Sequence, residues 1–421
     1  MLVSLKINNC FIYNDEIEFS MRADMRYKRF INNVYTTSAT NVLKSAMIIG
    51  PNNSGKTNFI RCLAALKDIL LNTGISVKNN LFSDNNLCEL SVIFLENKKE
   101  YLFEIKYDIF SKEYLFEKFS EISYDKYKNK KENDIIVRDF INQVFYCNDE
   151  MVIQAMKIAA KNNLLIYLLD TKQFSVLAKI KDTLTAFAEK IDIVDMNNIP
   201  IKKTIDMLKI SGSIKQKIVN FILNADLSLE DYRYLNDDEL KISFVNANTE
   251  ENVPQENALK ISETFVEMLH LASVYKGKAL PSYLFDSTGT KKIAAIASYV
   301  IDALENGRIL IVDELDNSLH FKLTRAIITL FNNDLNKNAQ LICTVHDVSL
   351  LDCQKLFRKE QIWFSHKDSE NAYLYSLSEF TNEKDKVRDT TDLIEKYKSG
   401  LFGALPEPDL FESLLEVQND V

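Results

Sequence analysis

Apolar and polar side chains alternate along "LVSLKINNCFIYNDEIEFSM", the period of strands with one buried face. Residues 1 to 21 are therefore expected to form two short strands joined through Asn8 to Asn14 as a hairpin. The apolar run "KSAMIIG", ending at Gly50, predicts a short strand, and "TNFIRCLAALKDILL" from Thr57 spaces its apolar residues along one helix face. From Glu89 to Ile122, β-branched and aromatic residues with polar breaks at Asn97–Lys99 and Ser111–Lys112 predict a three-stranded antiparallel meander. The charged stretch "YDKYKNKKEND" (124 to 134) reads as a flexible connection and a boundary.

Beyond it the period changes. "MVIQAMKIAAKNNLLIYLLD", "FSVLAKIKDTLTAFAEKI" and "TIDMLKISGSIKQKIVNFILNAD" carry apolar helix faces with few strand signals, so residues 135 to 245 are expected to be a helical insertion or lid. "YRYLNDDELKISFVNA" and "ALKISETFVEMLHLASVY" return to mixed patterns. After them come a helix ending near Gly307, the strand "RILIVDEL", a helix from about Lys322, the strand "QLICTVHD", a helix near "SLLDCQKLF" and the strand "QIWFSH". This alternation predicts an α/β fold with a mostly parallel core sheet flanked by helices. Residues 1–134 and 246–421 would supply the two halves of that domain, and 135–245 the insertion.

Composition narrows the picture in a few places. With 421 residues and 46% hydrophobic residues, the chain can bury a large core. It has no apolar run of about 18 residues and no leader-like amino terminus, so a cytoplasmic protein without membrane contact is expected. Six cysteines without a CxxC pair and four histidines suggest neither a zinc ribbon nor a disulfide framework. The net charge of −9 argues against a surface shaped as a whole for nucleic acid, while leaving room for a local basic patch. Lys202, Lys203, Lys209, Lys215 and Lys217 in the insertion read best as a solvated helix face. Only nine glycines occur, and Gly50, Gly55 and Gly289 fall in the segments that suit phosphate.

The chemistry is concentrated in four segments. Gly50-Pro51-Asn52-Asn53-Ser54-Gly55-Lys56-Thr57, followed by Asn58, fits G-x-x-x-x-G-K-[ST] between an expected strand and an expected helix. Such a loop turns backbone N–H groups onto a nucleotide's phosphates, with Lys56 on the β- and γ-phosphates and Thr57 on Mg²⁺. "ILIVDELDNSLH" delivers Asp313 to a strand's carboxyl end, suited to Mg²⁺, with Glu314 beside it to polarise a water. Ser287 and Gly289 in "FDSTGTKKIAAIA" offer a hydroxyl and backbone N–H groups at a helix start, where an ordinary N-cap is the competing explanation. His346 in "TVHD" follows a strand end and is placed to reach a γ-phosphate. Asp316 follows Glu314 closely enough to act across a subunit boundary, and His320 and His270 suit supporting or packing roles.

Together these segments resemble the ABC-type ATPase heads of the RecF, SMC and OLD group. "GPNNSGKTN" looks like the Walker A motif, "DSTGTKK" a divergent signature, "ILIVDE" the Walker B, "LDNSLH" the D-loop and "TVHD" the switch-histidine segment. Through "NADLSLEDYRY", "DSTGTKKI" and "EKYKSGLFGALPEP" the chain is also similar to bacterial AAA-type ATPases of abortive-infection systems, such as the AbiL-type ATPases and AriA of the PARIS anti-phage system. The resemblance implies an ATP hydrolase using ATP and Mg²⁺. It implies a homodimer or higher oligomer in which Ser287 and Gly289 of one copy complete the site built by Lys56, Thr57, Asp313, Glu314 and His346 of another. It further implies a switch controlling a separate toxin or nuclease. The alternative within the group is a DNA-repair or DNA-maintenance ATPase that binds DNA when closed. The chain departs from the group's pattern with S-T-G-T in the signature and with Phe321 after His320, and it offers Gln143 alone as a glutamine-loop candidate. The acidic tail "LPEPDLFESLLEVQNDV" reads equally as a docking helix or a frayed end.

Overall fold

In the computed structural model, residues 1–405 are described apart from 38–39, 81, 126, 128, 211, 227, 247–262, 369–370 and 389–390. The amino-terminal hairpin is present: β1 (Leu2–Asn8) pairs antiparallel with β2 (Ile17–Ser20). Two short strands, β3 (Val34–Thr36) and β4 (Asn41–Leu43), form a separate ribbon before β5 (Ser45–Ile49). The meander follows as β6 (Leu87–Glu96), β7 (Lys99–Asp108) and β8 (Glu113–Tyr124). It does not stop there. The stretch expected to be a flexible connection enters β9 (Lys130–Asp139), which pairs with β8 and then with β10 (Val144–Cys147). These strands make one seven-stranded antiparallel sheet in the order β10-β9-β8-β7-β6-β1-β2.

A second sheet holds the centre of the molecule. Its order is β11 (Ile191–Asp195), β15 (Ile309–Asp313), β16 (Gln340–Val345), β5, β17 (Ile362–Lys367) and β18 (Ala372–Ser376), parallel throughout except for β18. β5, β15 and β16 are buried at every residue, as strands covered on both faces must be, and this explains their continuous apolar sequences. A third sheet of β12 (Asp231–Tyr234), β13 (Leu271–Tyr275) and β14 (Lys278–Pro281) lies outside these two. The α/β class with a mostly parallel core and an antiparallel meander is thus the observed fold.

Residues 135–245 contain the expected helices, among them Ser175–Glu189, Lys202–Lys209 and Ser213–Ala225. They also contain β10, β11 and β12, and β11 is a strand of the core sheet, parallel to β15 from Ile191 to Asp195. Three of the lysines expected on a solvated face are ion-paired: Lys203 with Asp192 and Asp302, Lys209 with Glu267, and Lys217 with Glu305. The helix Thr288–Asn306 ends, as expected, where Gly307 turns left-handed at φ 65°. The helix expected near "SLLDCQKLF" is replaced by a 3-10 turn at Val348–Leu350. Asp352 Oδ1 then accepts the Gln354 and Lys355 N–H groups at 2.9 Å each, a local turn that competes with helix. All six cysteines are buried thiols without disulfides. Residues 406–421, with most of the acidic tail, lie outside the described residues.

Candidate functional site

β16 lies between β5 and β15 in the core sheet, so the carboxyl ends of three parallel strands come together. The loop 50–55 leaves β5, Asp313 and Glu314 close β15, and Thr344 to His346 close β16. Ligand sites of open α/β sheets form at this edge.

The loop owes its shape to two glycines and two supporting hydroxyls. A Cβ on Gly50 would lie 2.2 Å from the Ser365 carbonyl oxygen, and Gly55 has φ 117°. Tyr13 OH donates to the Gly55 carbonyl at 3.1 Å, and Ser365 Oγ donates to the Ser54 carbonyl at 3.0 Å. With those carbonyls held on the protein side, the helix Lys56–Leu71 begins with its amide groups directed at the loop. Lys56 is buried, and its ammonium donates to the carbonyls of Gly50 at 2.6 Å and Pro51 at 2.8 Å. Desolvation lowers its pKa to about 8 despite the opposing pull of Asp313, Glu314 and Asp316. Ser54 Oγ is buried without a hydrogen-bond partner among the described residues, the kind of atom a bound phosphate satisfies. Asn52, Asn53 and Thr57 are exposed, Asn53 in the left-handed region at φ 62°, and Asn58 accepts from Arg61. Beside the loop, Lys367 and Asp368 border an open cleft of about 380 Å³.

The acidic half is fixed by Thr344. Its hydroxyl donates to Asp313 Oδ1 at 2.5 Å and accepts the Glu314 N–H at 2.7 Å, so one side chain of β16 sets both acids. Glu314 sits at φ 56°, and its Oε2 accepts from Asn197 at 2.9 Å and Asn317 at 3.0 Å. The Asn197 hydrogen bond, with Asn317 and His346 adding to it, holds the carboxyl below its ordinary range and therefore ionised at neutral pH. His346 Nε2 stands 3.6 Å from Glu314 Oε1. Asp316 turns inward: its Oδ2 accepts the backbone N–H groups of His346 at 2.8 Å and Asp347 at 2.7 Å, tying the two loops of one chain together.

Ser287 is an N-cap in this structure. Its Oγ accepts the Thr290 N–H at 3.1 Å, while Thr290 Oγ1 donates to Asp226 at 2.7 Å. Ser287 and Thr288 are exposed, and no hydrogen bond among the described residues joins them to loop 50–57. Lys292, one turn on, donates to Asn317 Oδ1 at 2.9 Å, and a Cβ on Gly289 would stand 3.2 Å from the Ser318 carbonyl. His320 caps the helix Phe321–Phe331, His270 stacks on Tyr234, and Gln143 donates to Phe140 O in the turn between β9 and β10. Tyr13, Asn197, Thr344, Ser365 and Lys367 are the site residues that motif reading does not find. Of these only Thr344 falls within a recognised segment.

A glycine-rich loop on a parallel strand, faced by an Asp-Glu pair on a strand of the same sheet, is the arrangement by which P-loop nucleotide sites hold phosphate. Residues 172–352 match the family model described as "AAA domain, putative AbiEii toxin, Type IV TA system", a span that takes in Ser287, Asp313, Glu314 and His346 but not the loop 50–57. The structure is similar to the SMC head in the crystal structure of the SmcHead bound to the C-winged helix domain of ScpA, with 12% identity, 89% of this chain and 97% of that chain covered, and a TM-score of 0.44. It is also similar to the SMC head domain from Thermotoga maritima, with 12% identity, 89% and 98% covered, and a TM-score of 0.41. No curated protein matches. Among the described residues, no helix is long and apolar enough to cross a membrane.

Proposed function

We propose that the chain binds and hydrolyses ATP as a dimeric switch in the cytoplasm, regulating a separate toxin or nuclease in anti-phage defence. The observation that carries the ATPase reading is the meeting of a desolvated Lys56 and the paired acids Asp313 and Glu314 at one sheet edge. Backbone N–H groups of 50–57 and Lys56 hold the phosphates, with Ser54, Asn52, Asn53 and Asn58 around them. Thr57 and Asp313 would hold Mg²⁺, which would supply charge neutralisation to the transferred phosphate. Ionised Glu314 takes the proton of the attacking water, and His346 contacts the γ-phosphate. Exposed Ser287 and half-buried Gly289 of a second copy complete the site, while Asp316 sets the switch segment of its own copy. The toxin-system wording of the matched family model supports the defence role.

Glu314→Gln tests this reading. Turnover is expected to fall by roughly 100-fold or more, the usual worth of a general base, with ATP still bound and a larger assembly trapped in sedimentation. Wild-type turnover, or no ATP-dependent change in size, would refute it.

The exposed Lys28 and Arg29 between β2 and β3 favour a second reading, DNA maintenance. It predicts DNA affinity that falls steeply with salt and requires both ATP and Lys56. A stable DNA-free complex with a toxin favours the first.

A further inference from the structure

A cleft of about 350 Å³ opens between residues 196–201 and the start of the helix Thr288–Asn306. Small-molecule sites span roughly 300–1,000 Å³, so it suits one compact ligand. Its walls are largely carbon, from Met196, Ile199, Ile201, Leu271 and the ring of Tyr283. The charges in that lining are Lys291 and Lys292, and no carboxylate residue is among them, in a chain whose net charge is −9. Lys291 Nζ lies 5.4 Å from the centroid of the Tyr283 ring, so a cation and an aromatic face are offered side by side.

The cleft is wired to Glu314. Asn197 forms part of its wall, donates to Glu314 Oε2 at 2.9 Å and accepts from Asn317 at 2.7 Å. Lys292, on the same wall, donates to Asn317 Oδ1 at 2.9 Å. An anion that draws Lys292 into the cleft takes a partner from Asn317, and Asn317 is itself a partner of Glu314.

We propose that this cleft is an effector site for a small molecule with a flat apolar body and one anionic group, and that its occupant slows ATP turnover through Lys292, Asn317 and Asn197. The control of turnover rests on the ATPase reading above, whereas the binding does not.

The test uses the full chain and 8-anilinonaphthalene-1-sulfonate, a flat aromatic anion, followed by fluorescence without nucleotide. One saturable site per chain is expected, roughly tenfold weaker in Lys291→Glu, a loss of about 1.4 kcal/mol. Thr288→Glu is expected to weaken it as well, and because an acid at a helix start favours the helix, that loss is separable from unfolding. Lys56→Ala leaves probe binding unchanged. Saturating probe lowers ATP turnover in the native chain, and in Asn197→Ala it still binds but no longer changes the rate. Unchanged affinity in both Lys291→Glu and Thr288→Glu would overturn the site. Displacement by ATP in the native chain but not in Lys56→Ala would overturn it too, by placing the cleft in the nucleotide's own site. A chain without ATP turnover would remove the ATPase reading and leave the fluorescence titration interpretable.

Discussion

The loop-and-carboxylate cluster is locked by its own chain, whereas the Ser287 segment is held by a helix cap and left in solvent. Lys56 and Asp313 are buried at 6% and 7% relative exposure, Lys56 bonded to the carbonyls of its own loop and Asp313 to Thr344 on a neighbouring strand. Ser287 is exposed and bonds within its own first turn. Preorganised groups cost nothing to arrange when a ligand arrives, while exposed ones remain available to a second surface. On the function proposed above, the contrast separates the part that would grip phosphate from the part a neighbouring copy would supply.

The largest effect should come from the buried half. Lys56→Ala removes the one ammonium in the loop, and charge-assisted bonds of this kind are worth about 1.5–3 kcal/mol, so ATP affinity should drop roughly 10- to 100-fold in a fluorescent-nucleotide titration. Thr344→Val comes next. It strips Asp313 and the Glu314 N–H of a shared buried partner, and a loss of about 1–3 kcal/mol in unfolding free energy is expected by denaturant titration, together with slower turnover. If Thr344→Val is silent, the acids are not held as described.

Lys56 also sets a pH dependence. Its folded-state pKa is lowered to about 8, so the free protein loses this positive charge as pH rises through that value. ATP affinity should weaken from pH 7 to 9, by roughly tenfold one unit above the pKa if only the charged form binds well, and Lys56→Arg should flatten the profile. The stability change has the opposite sign. Between about 8 and the ordinary lysine range the unfolded chain binds more protons, so this group makes the fold gain stability with rising pH. The smallest effect belongs to the exposed half: Ser287→Ala removes a cap worth about 0.5–2 kcal/mol and should lower the melting temperature slightly. Its effect on turnover should grow with protein concentration if a second copy supplies Ser287, and a concentration-independent effect would blur the contrast between the halves.

Much of the core was legible because its signals are local. Fully buried parallel strands read as unbroken apolar runs, and the loop motif has fixed spacing. β9 was hidden for the opposite reason: its first residues face solvent on both sides and pair by charge, Lys118 with Glu132 and Asp134, so no apolar period marks "KNKKEND" as strand. β11 was hidden by its five-residue length amid helices. Tyr13, Ser365 and Asn197 carry no local signature at all, since their contacts join residues 42, 311 and 117 positions apart. A motif locates the groups that touch a ligand, and the residues that hold those groups still become visible only when the chain is folded.

β5 is flanked in the sheet by β16 and β17. The strand that launches the loop 50–55 is thus synthesised well before either neighbour, both of which begin at residue 340 or later. A growing chain therefore carries the loop through the synthesis of roughly 300 residues, from β5 to β16, before the strands that flank it exist. A product terminated before residue 340 would hold the whole glycine-lysine motif and still lack both strands that flank β5.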